Sequence, residues 1–280
     1  MLTQPTVGML HPGSMGVAVA ACAAPNAAAV LWCTDGRSPA SIARAERFGL
    51  EPVPTLQELL DRSDMVISLC PPAAAEDLAR EVAAHRFEGV YVEANAINPE
   101  RSVRIARLLE ATATVVDGGV VGSPPVRGKT PTLYLSGPAG ATACVEEVFV
   151  GTNVLTKVLG TDVGQASALK LAYASFQKTS RVLVALSVGL AREHGVDQEL
   201  IDVASRRTDS YLSEPEYIAK TAARAWRWGP ELEEAADTLA AAGLPPEMLR
   251  AAASTLARWN DSKDDGELTL TDALNQLAQP

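Results

Sequence analysis

Between Thr6 and Gly137 short, unbroken apolar runs alternate with segments of helical pattern. The runs are Val7–Leu10, Val30–Cys33, Met65–Cys70, Val90–Glu93, Val115–Asp117 and Thr132–Leu135. A strand wet on one face alternates apolar and polar residues, so continuous apolarity marks strands covered on both faces. Helical segments between such strands make a parallel sheet flanked by helices the economical fold, α/β and doubly wound.

After about Gly164 the strand signals stop. Ala166 to His194 is a proline-free run of helix formers, long enough to join two domains. The remainder, through Pro215, Pro230 and Pro245–Pro246, divides into shorter helices expected to start at or just after those prolines. The expected organisation is a nucleotide-binding domain over residues 1–163 and an all-α domain over 164–280. Asp261–Glu267, DSKDDGE, reads as a solvated loop, and His85 and His194 read as surface helix residues.

At 47% hydrophobic and 21% charged, the 280 residues can bury a substantial core. A formal charge of −10 argues against a surface for nucleic acid or anionic membrane, which needs a basic field. Cys22, Cys33, Cys70 and Cys144 show no CxxC or His–Cys spacing, so no metal site is expected; they read as small buried hydrophobes in a reducing compartment. Met15–Ala24 imitates the apolar part of an export signal, but no Lys or Arg precedes it and Pro25–Asn26 closes it early. No apolar run approaches the ~20 residues of a membrane span; the acidic charge and the reduced cysteines make the cytoplasm the expected location.

The first run leads into Gly8-Met-Leu-His-Pro-Gly-Ser-Met-Gly16. Set against G-x-G-x-x-G, Gly13 and Gly16 fill the second and third glycine positions and His11 stands at the first, beside Pro12. Gly13 would admit a pyrophosphate to the backbone, Gly16 would let helix and strand pack closely, and the helix start supplies unpaired N–H groups. His11, Pro12, Gly13, Ser14, Met15 and Gly16 are therefore the expected phosphate cradle, with His11 a component of the turn. About twenty residues on, where the chain would meet the adenine ribose, Asp35 is followed by Gly36, Arg37 and Ser38. A cation and a hydroxyl suit a 2′-phosphate, so NADP(H) is the expected cofactor, with NAD(H) also possible; Arg44 lies further along.

With these residues the chain resembles the β-hydroxyacid dehydrogenase and phosphogluconate dehydrogenase superfamily over most of its length. The markers are His11-Pro-Gly-Ser-Met-Gly16, Asp64-Met-Val-Ile-Ser-Leu-Cys-Pro-Pro72 and Val92-Glu-Ala-Asn-Ala-Ile-Asn-Pro99. It looks closest to a branch with His-Pro-Gly in the turn and Trp-Arg-Trp, here Trp226-Arg227-Trp228, in the C-terminal domain. The resemblance implies a Rossmann-type sheet followed by an all-α domain. It places Cys70, Pro71 and Pro72 beside the cofactor and Asn95 near the nicotinamide.

Val116-Asp-Gly-Gly-Val-Val-Gly-Ser123 is similar to the family's substrate loop, Asp-Ala-Pro-Val-Ser-Gly-Gly. In this alignment Val121 replaces the serine and Gly122–Ser123 the two glycines, so Gly122 and Ser123 are the expected carboxylate-binding groups, through backbone N–H and a displaced hydroxyl. Gly164-Gln-Ala-Ser-Ala-Leu-Lys170 resembles the start of the family's catalytic helix, which makes Lys170 the expected general acid or base. Read without the family, Lys170 among apolar neighbours is either snorkelling or functional. Ala174 replaces the family's asparagine; Tyr173, Ser175 or Gln177 is the expected substitute, with Tyr173 and Gln177 taken as the substrate-binding residues.

The implied activity is hydride transfer between NADP(H) and a small carbonyl or hydroxy substrate, in a homodimer. Imine reduction stands as an alternative, as does an inactive protein that binds NADPH. Trp226 and Trp228, with Arg224 and Arg227, read equally as pocket lining or as core.

Overall fold

The computed structural model describes residues 4–193, 195–206, 214–241 and 246–278. By its contacts the chain forms two compact units, Met1–Lys170 and Leu171–Pro280, and the division falls inside one long helix.

The first unit is built on β1 (Thr6–Met9), α1 (Ser14–Ala23), β2 (Ala29–Cys33), α2 (Pro39–Arg47), β3 (Glu51–Val53), α3 (Leu56–Arg62), β4 (Met65–Ser68), α4 (Ala75–Ala84), β5 (Val90–Glu93), α5 (Pro99–Leu109), β6 (Thr114–Val121), β7 (Thr132–Ser136), α6 (Ala139–Phe149) and β8 (Leu155–Gly160). The sheet order is β3-β2-β1-β4-β5-β6-β7-β8. Strands β1 to β6 are mutually parallel; β7 runs antiparallel to β6, and β8 runs parallel to β7. The doubly wound, mostly parallel sheet is as expected, and the reversal at β7 makes it mixed.

Both faces of the sheet are covered, as the unbroken apolar runs require. One core joins Val7, Met9, Trp32, Met65, Val92 and Val116 to α1 and α6. The other joins Leu10, Leu31, Val66, Tyr91 and Val115 to α3, α4 and α5. Helix starts carry their own signals: the side chains of Ser38, Thr55 and Asn98 each accept a backbone N–H at an N-cap, and Pro39 and Pro99 occupy the first turn.

Two strands were outside the sequence reading. β3 is short and contains Pro52; β8 has mostly exposed side chains, so neither presents a buried apolar run. The expected strand Val115–Asp117 extends to Val121, because Gly118–Val121 pairs with Leu135–Thr132, and the expected run Met65–Cys70 ends as a strand at Ser68.

The long helix α7 spans Gln165–Glu193. The second unit continues with α8 (Asp197–Ser205), α9 (Tyr217–Ala222), α10 (Ala225–Ala241), α11 (Glu247–Ala257) and α12 (Leu270–Ala278). Leu232, Ala235 and Ala236 of α10 and Leu249, Ala252, Ala253 and Leu256 of α11 are buried; the alanines let these two paired helices approach closely. Trp259 is fully buried and donates its indole N–H to the Ala273 carbonyl at 2.8 Å.

Pro230 lies inside α10 and does not start a helix; Pro246 is the N-cap residue of α11, and Pro245 lies outside the described residues. His85 is exposed at the end of α4, and His194 lies outside the described residues. The Asp261–Glu267 segment is exposed except for Ser262, and its Asp264 accepts the Trp226 indole N–H. No described helix is long and apolar enough to cross a membrane.

Candidate active site

The turn after β1 is short and held from below. Leu10 N–H reaches the Ile67 carbonyl at 3.1 Å, and Gly13 N–H turns back to the His11 carbonyl at 2.9 Å. Gly13 is the N-cap residue of α1, no side chain caps this end, and the first turn of α1 has no acidic residue. The helix start is thus left to an anion. A Cβ on Gly16 would stand 2.7 Å from the His11 carbonyl oxygen, so only glycine lets α1 lie this close. A Cβ on Gly13 would meet nothing nearer than the His11 ring at 3.7 Å. Gly13 thus keeps free a space that no described residue fills, and these residues fit a dinucleotide pyrophosphate.

Arg37 folds back from the end of β2 onto this turn. Its guanidinium donates to His11 Nδ1 at 2.9 Å, to the Leu10 carbonyl at 2.8 Å and, through Nε, to the Cys33 carbonyl at 3.3 Å. Arg44 of α2 donates to the Pro12 carbonyl at 2.9 Å. Burial, then the Arg37 and Arg44 charges, push the His11 pKa below its ordinary value, so its ring is neutral and accepts from Arg37. Ser38 caps α2, and Gly36 takes φ +65 in the turn before it. The structure therefore gathers His11, Pro12, Arg37 and Arg44 around one turn, while the Ser38 hydroxyl is engaged with Ser41 at the start of α2.

At the carboxyl ends of β4 and β5 Asn95 acts as a brace. It is 1% exposed; its Oδ1 accepts the Cys70 N–H at 2.5 Å, and its Nδ2 donates to Ser68 Oγ at 2.9 Å and Glu93 Oε1 at 2.5 Å. Pro72 is tied down by the Arg101 guanidinium on its carbonyl, while Pro71 is exposed. Burial first, then the Glu93 charge, push the Cys70 thiol up to about 12, which makes it no nucleophile at neutral pH. Glu93 is fully buried; its Oε1 accepts from Asn95, and its Oε2 has no hydrogen-bond partner among the described residues. Burial raises this carboxyl to about 8, so it is held as the acid.

Along β6, Gly118 to Val121 lie in the strand, and Gly122 and Ser123 stand exposed just beyond it. Gly122 takes φ +125, a conformation L side chains rarely adopt. A Cβ on Gly119 would stand 2.7 Å from the Ala166 carbonyl oxygen and 3.0 Å from the Lys170 Cβ. Glycine here is what lets the second turn of α7 lie against the strand, and it seats the half-buried Lys170 in the carboxyl half of β6. Further along α7, Tyr173 is exposed, Ala174 buried and Gln177 half-buried.

The Trp-Arg-Trp segment belongs to the second unit. Trp228 is buried with the Lys178 ammonium 5.8 Å from its ring centroid, and Lys178 is ion-paired with Glu231. Among the described residues no group of three His, Cys, Asp or Glu could hold a metal ion.

Sequence reasoning missed a group at the foot of α7. Asp117, Ser102, Ser136 and Ser167 are all fully buried, and the Asp117 carboxylate receives Gly164 N–H, Ser167 N–H and the Ser136 and Ser167 hydroxyls. The available signal was a carboxylate, Asp117, inside a strand whose neighbours are all apolar or glycine.

A family model described as a domain of unknown function, DUF1932, matches residues 191–259. An uncharacterised 28.5 kDa protein of Methanothermus fervidus is 26% identical over 62% of this chain and 66% of its own length, so the chain spans just under two thirds of that relative. The Mycobacterium tuberculosis 3-hydroxyisobutyrate dehydrogenase, solved with L-serine, superposes with a TM-score of 0.77 at 18% identity, over 99% of this chain and all (100%) of that one. The reductive aminase of Aspergillus terreus, solved with NADPH and ethyl-5-oxohexanoate, gives 0.62 at 19% identity over 98% and 99%. This chain is thus built on the fold of 3-hydroxyacid dehydrogenases and related imine-reducing enzymes, with a Rossmann-type sheet followed by helices.

Proposed function

We propose that the protein is an NADP(H)-dependent oxidoreductase acting between a small carbonyl compound and its alcohol, with Lys170 as general acid and base. The observation that carries this reading is Lys170 seated against Gly119 in the carboxyl half of β6. The uncapped glycine turn after β1 opens at that same edge of the parallel strands, where open α/β sheets bind ligands.

Bound at that turn, a nicotinamide dinucleotide supplies the hydride. The N–H groups at the start of α1 receive its pyrophosphate, and Gly13 leaves the room. Arg37 and Arg44, already drawn onto the turn, present guanidinium N–H groups to a 2′-phosphate. Gly122 and Ser123 offer backbone and hydroxyl donors to an anionic substrate group. As the carbonyl carbon is reduced, the Lys170 ammonium protonates the oxygen on which negative charge builds; in the reverse direction the neutral amine removes the hydroxyl proton. Tyr173 and Gln177 serve as polar contacts in place of the asparagine that Ala174 displaces. The proposed working state is a cytoplasmic homodimer.

NADPH oxidation against a panel of keto acids, aldehydes and cyclic imines tests this reading. Turnover of a carbonyl substrate is expected, and Lys170→Ala is expected to lower kcat by about 10²–10⁴ with NADPH affinity retained. Undiminished turnover in Lys170→Ala would remove the proton carrier. The replacement of serine by Val121 and of asparagine by Ala174 favours two competing outcomes: turnover confined to imines, or NADPH binding with no turnover at all.

A further inference from the structure

We propose that Asp117 is the positioning residue for Lys170: a buried carboxylate on β6 that grips the first turn of α7 and so fixes where the lysine stands. This rests on the reading of Lys170 as proton carrier. It gives a task to Asp117, which heads the substrate-loop segment but to which none of the roles described above is assigned.

An ordinary N-cap is the residue next to the helix, and it fixes only where the helix begins. Here the acceptor comes from a strand 50 residues before Ser167. Gly164 N–H and Ser167 N–H donate to Asp117 Oδ2 at 2.9 and 3.0 Å, and the Ser136 hydroxyl donates to the same oxygen at 3.0 Å. The Ser167 hydroxyl donates to Oδ1 at 2.5 Å. Ser136 Oγ in turn accepts Ala166 N–H at 3.2 Å. With its own hydrogen committed to Asp117, Ser167 Oγ is the acceptor of the Ser102 hydroxyl at 2.8 Å, which brings α5 into the same network. Three backbone N–H groups at the start of α7 thus end on side chains of β6 and β7, so the place of the helix on the sheet is set along with its start.

Gly119 is the second point of attachment. It lies two residues beyond Asp117 on the same strand face. There the missing Cβ admits Ala166 and Lys170. Lys170 follows Ser167 by three residues and shares its side of the helix. A shift of the first turn is therefore carried to the lysine one turn on. Burying a carboxylate is costly unless its oxygens are satisfied, and four donors meet this one. A neutral Ser or Thr would cap the helix without that burial; the charge-assisted bonds hold it more stiffly.

The test uses the full chain carrying Asp117→Asn, Asp117→Ala or Ser167→Ala, and Asp117→Asn combined with Lys170→Ala. Asparagine keeps the shape, because its amide oxygen can replace Oδ2 while its NH2 faces a reoriented Ser167 hydroxyl; if Asp117→Ala does not fold, Asp117→Asn and Ser167→Ala decide. Each single variant is expected to lower kcat by roughly 10- to 100-fold, since small misplacements cost this much. NADPH affinity is expected to stay within about two-fold, and the kcat loss to vanish in the Lys170→Ala background. Wild-type kcat in Asp117→Asn beside an inactive Lys170→Ala, or an undiminished loss in the double variant, overturns the proposal. Full activity in Lys170→Ala refutes instead the reading it rests on. If no panel member turns over, NMR titration of the reductively ¹³C-methylated Lys170 amine replaces kcat: its midpoint must differ between wild type and Asp117→Asn, and an unchanged curve overturns the proposal.

Discussion

Arg37 commits three of its five N–H groups to the protein itself, on His11, the Leu10 carbonyl and the Cys33 carbonyl. It is thereby held over the turn with donors to spare, in place of waving in solvent at a strand end. A charge-assisted hydrogen bond is worth about 1.5–3 kcal/mol, or roughly 10- to 100-fold in affinity. Arg37→Ala is therefore expected to weaken NADPH by at least about ten-fold more than NADH in titrations of both. Because the same arginine braces the turn, some loss for NADH is expected too; equal losses would remove the argument for a 2′-phosphate. The motif made His11, Gly13, Gly16 and Arg37 candidates, but the sequence held no sign that Arg37 and His11 touch. That contact spans 26 residues and depends on how β1 and β2 pair.

At the scale of elements, what could be read was set by burial. β1, β2, β4 and β5 stand in the middle of the sheet with mostly buried side chains, and their apolar runs announced them. β8 lies at the edge with mostly exposed side chains, and β3 at the other edge is three residues long, so neither left a pattern to find. Pro230 misled because proline usually opens a helix, yet here it sits within α10. Two glycines separate packing from propensity. Gly119→Ala drives a Cβ into the Ala166 carbonyl, with an expected cost of about 1–3 kcal/mol and a fall in kcat as α7 is pushed off β6. Gly140→Ala in α6 meets nothing within 4 Å and is expected to leave kcat alone and to raise stability by about 0.5–1 kcal/mol. Thermal unfolding and turnover of the two variants check the contrast; equal behaviour would mean that the close approach at Gly119 is not needed.

For the whole molecule, Glu93 makes stability depend on pH. Its neighbours are Asp117 in register on β6, Tyr91, Cys70 and Arg101. Burial raises the folded carboxyl to about 8 against an ordinary 4.5. Between those values the unfolded chain has lost the proton and the folded chain keeps it, so this group's contribution is full below about 4.5 and fades as pH rises through about 8. Glu93→Gln keeps an oxygen for Asn95 and cannot ionise. Its Tm relative to the unsubstituted protein is expected to climb by roughly 3 °C or more between about pH 5 and about pH 8, and a flat difference would contradict the buried acid.

The reversal at β7 has a consequence for where the chemistry can happen. Because β7 descends and β8 descends with it, the chain emerges from β8 at Gly160, level with Ser136 and Asp117. From there α7 runs upward beside β6, from Asp117 past Gly119. Had those two strands pointed with the rest, the helix would have set off from the rim that carries the glycine turn and taken its lysine downhill, away from it. A single about-face in the strand order thus turns α7 toward the carboxyl edge of the parallel strands, the edge at which open α/β sheets bind ligands.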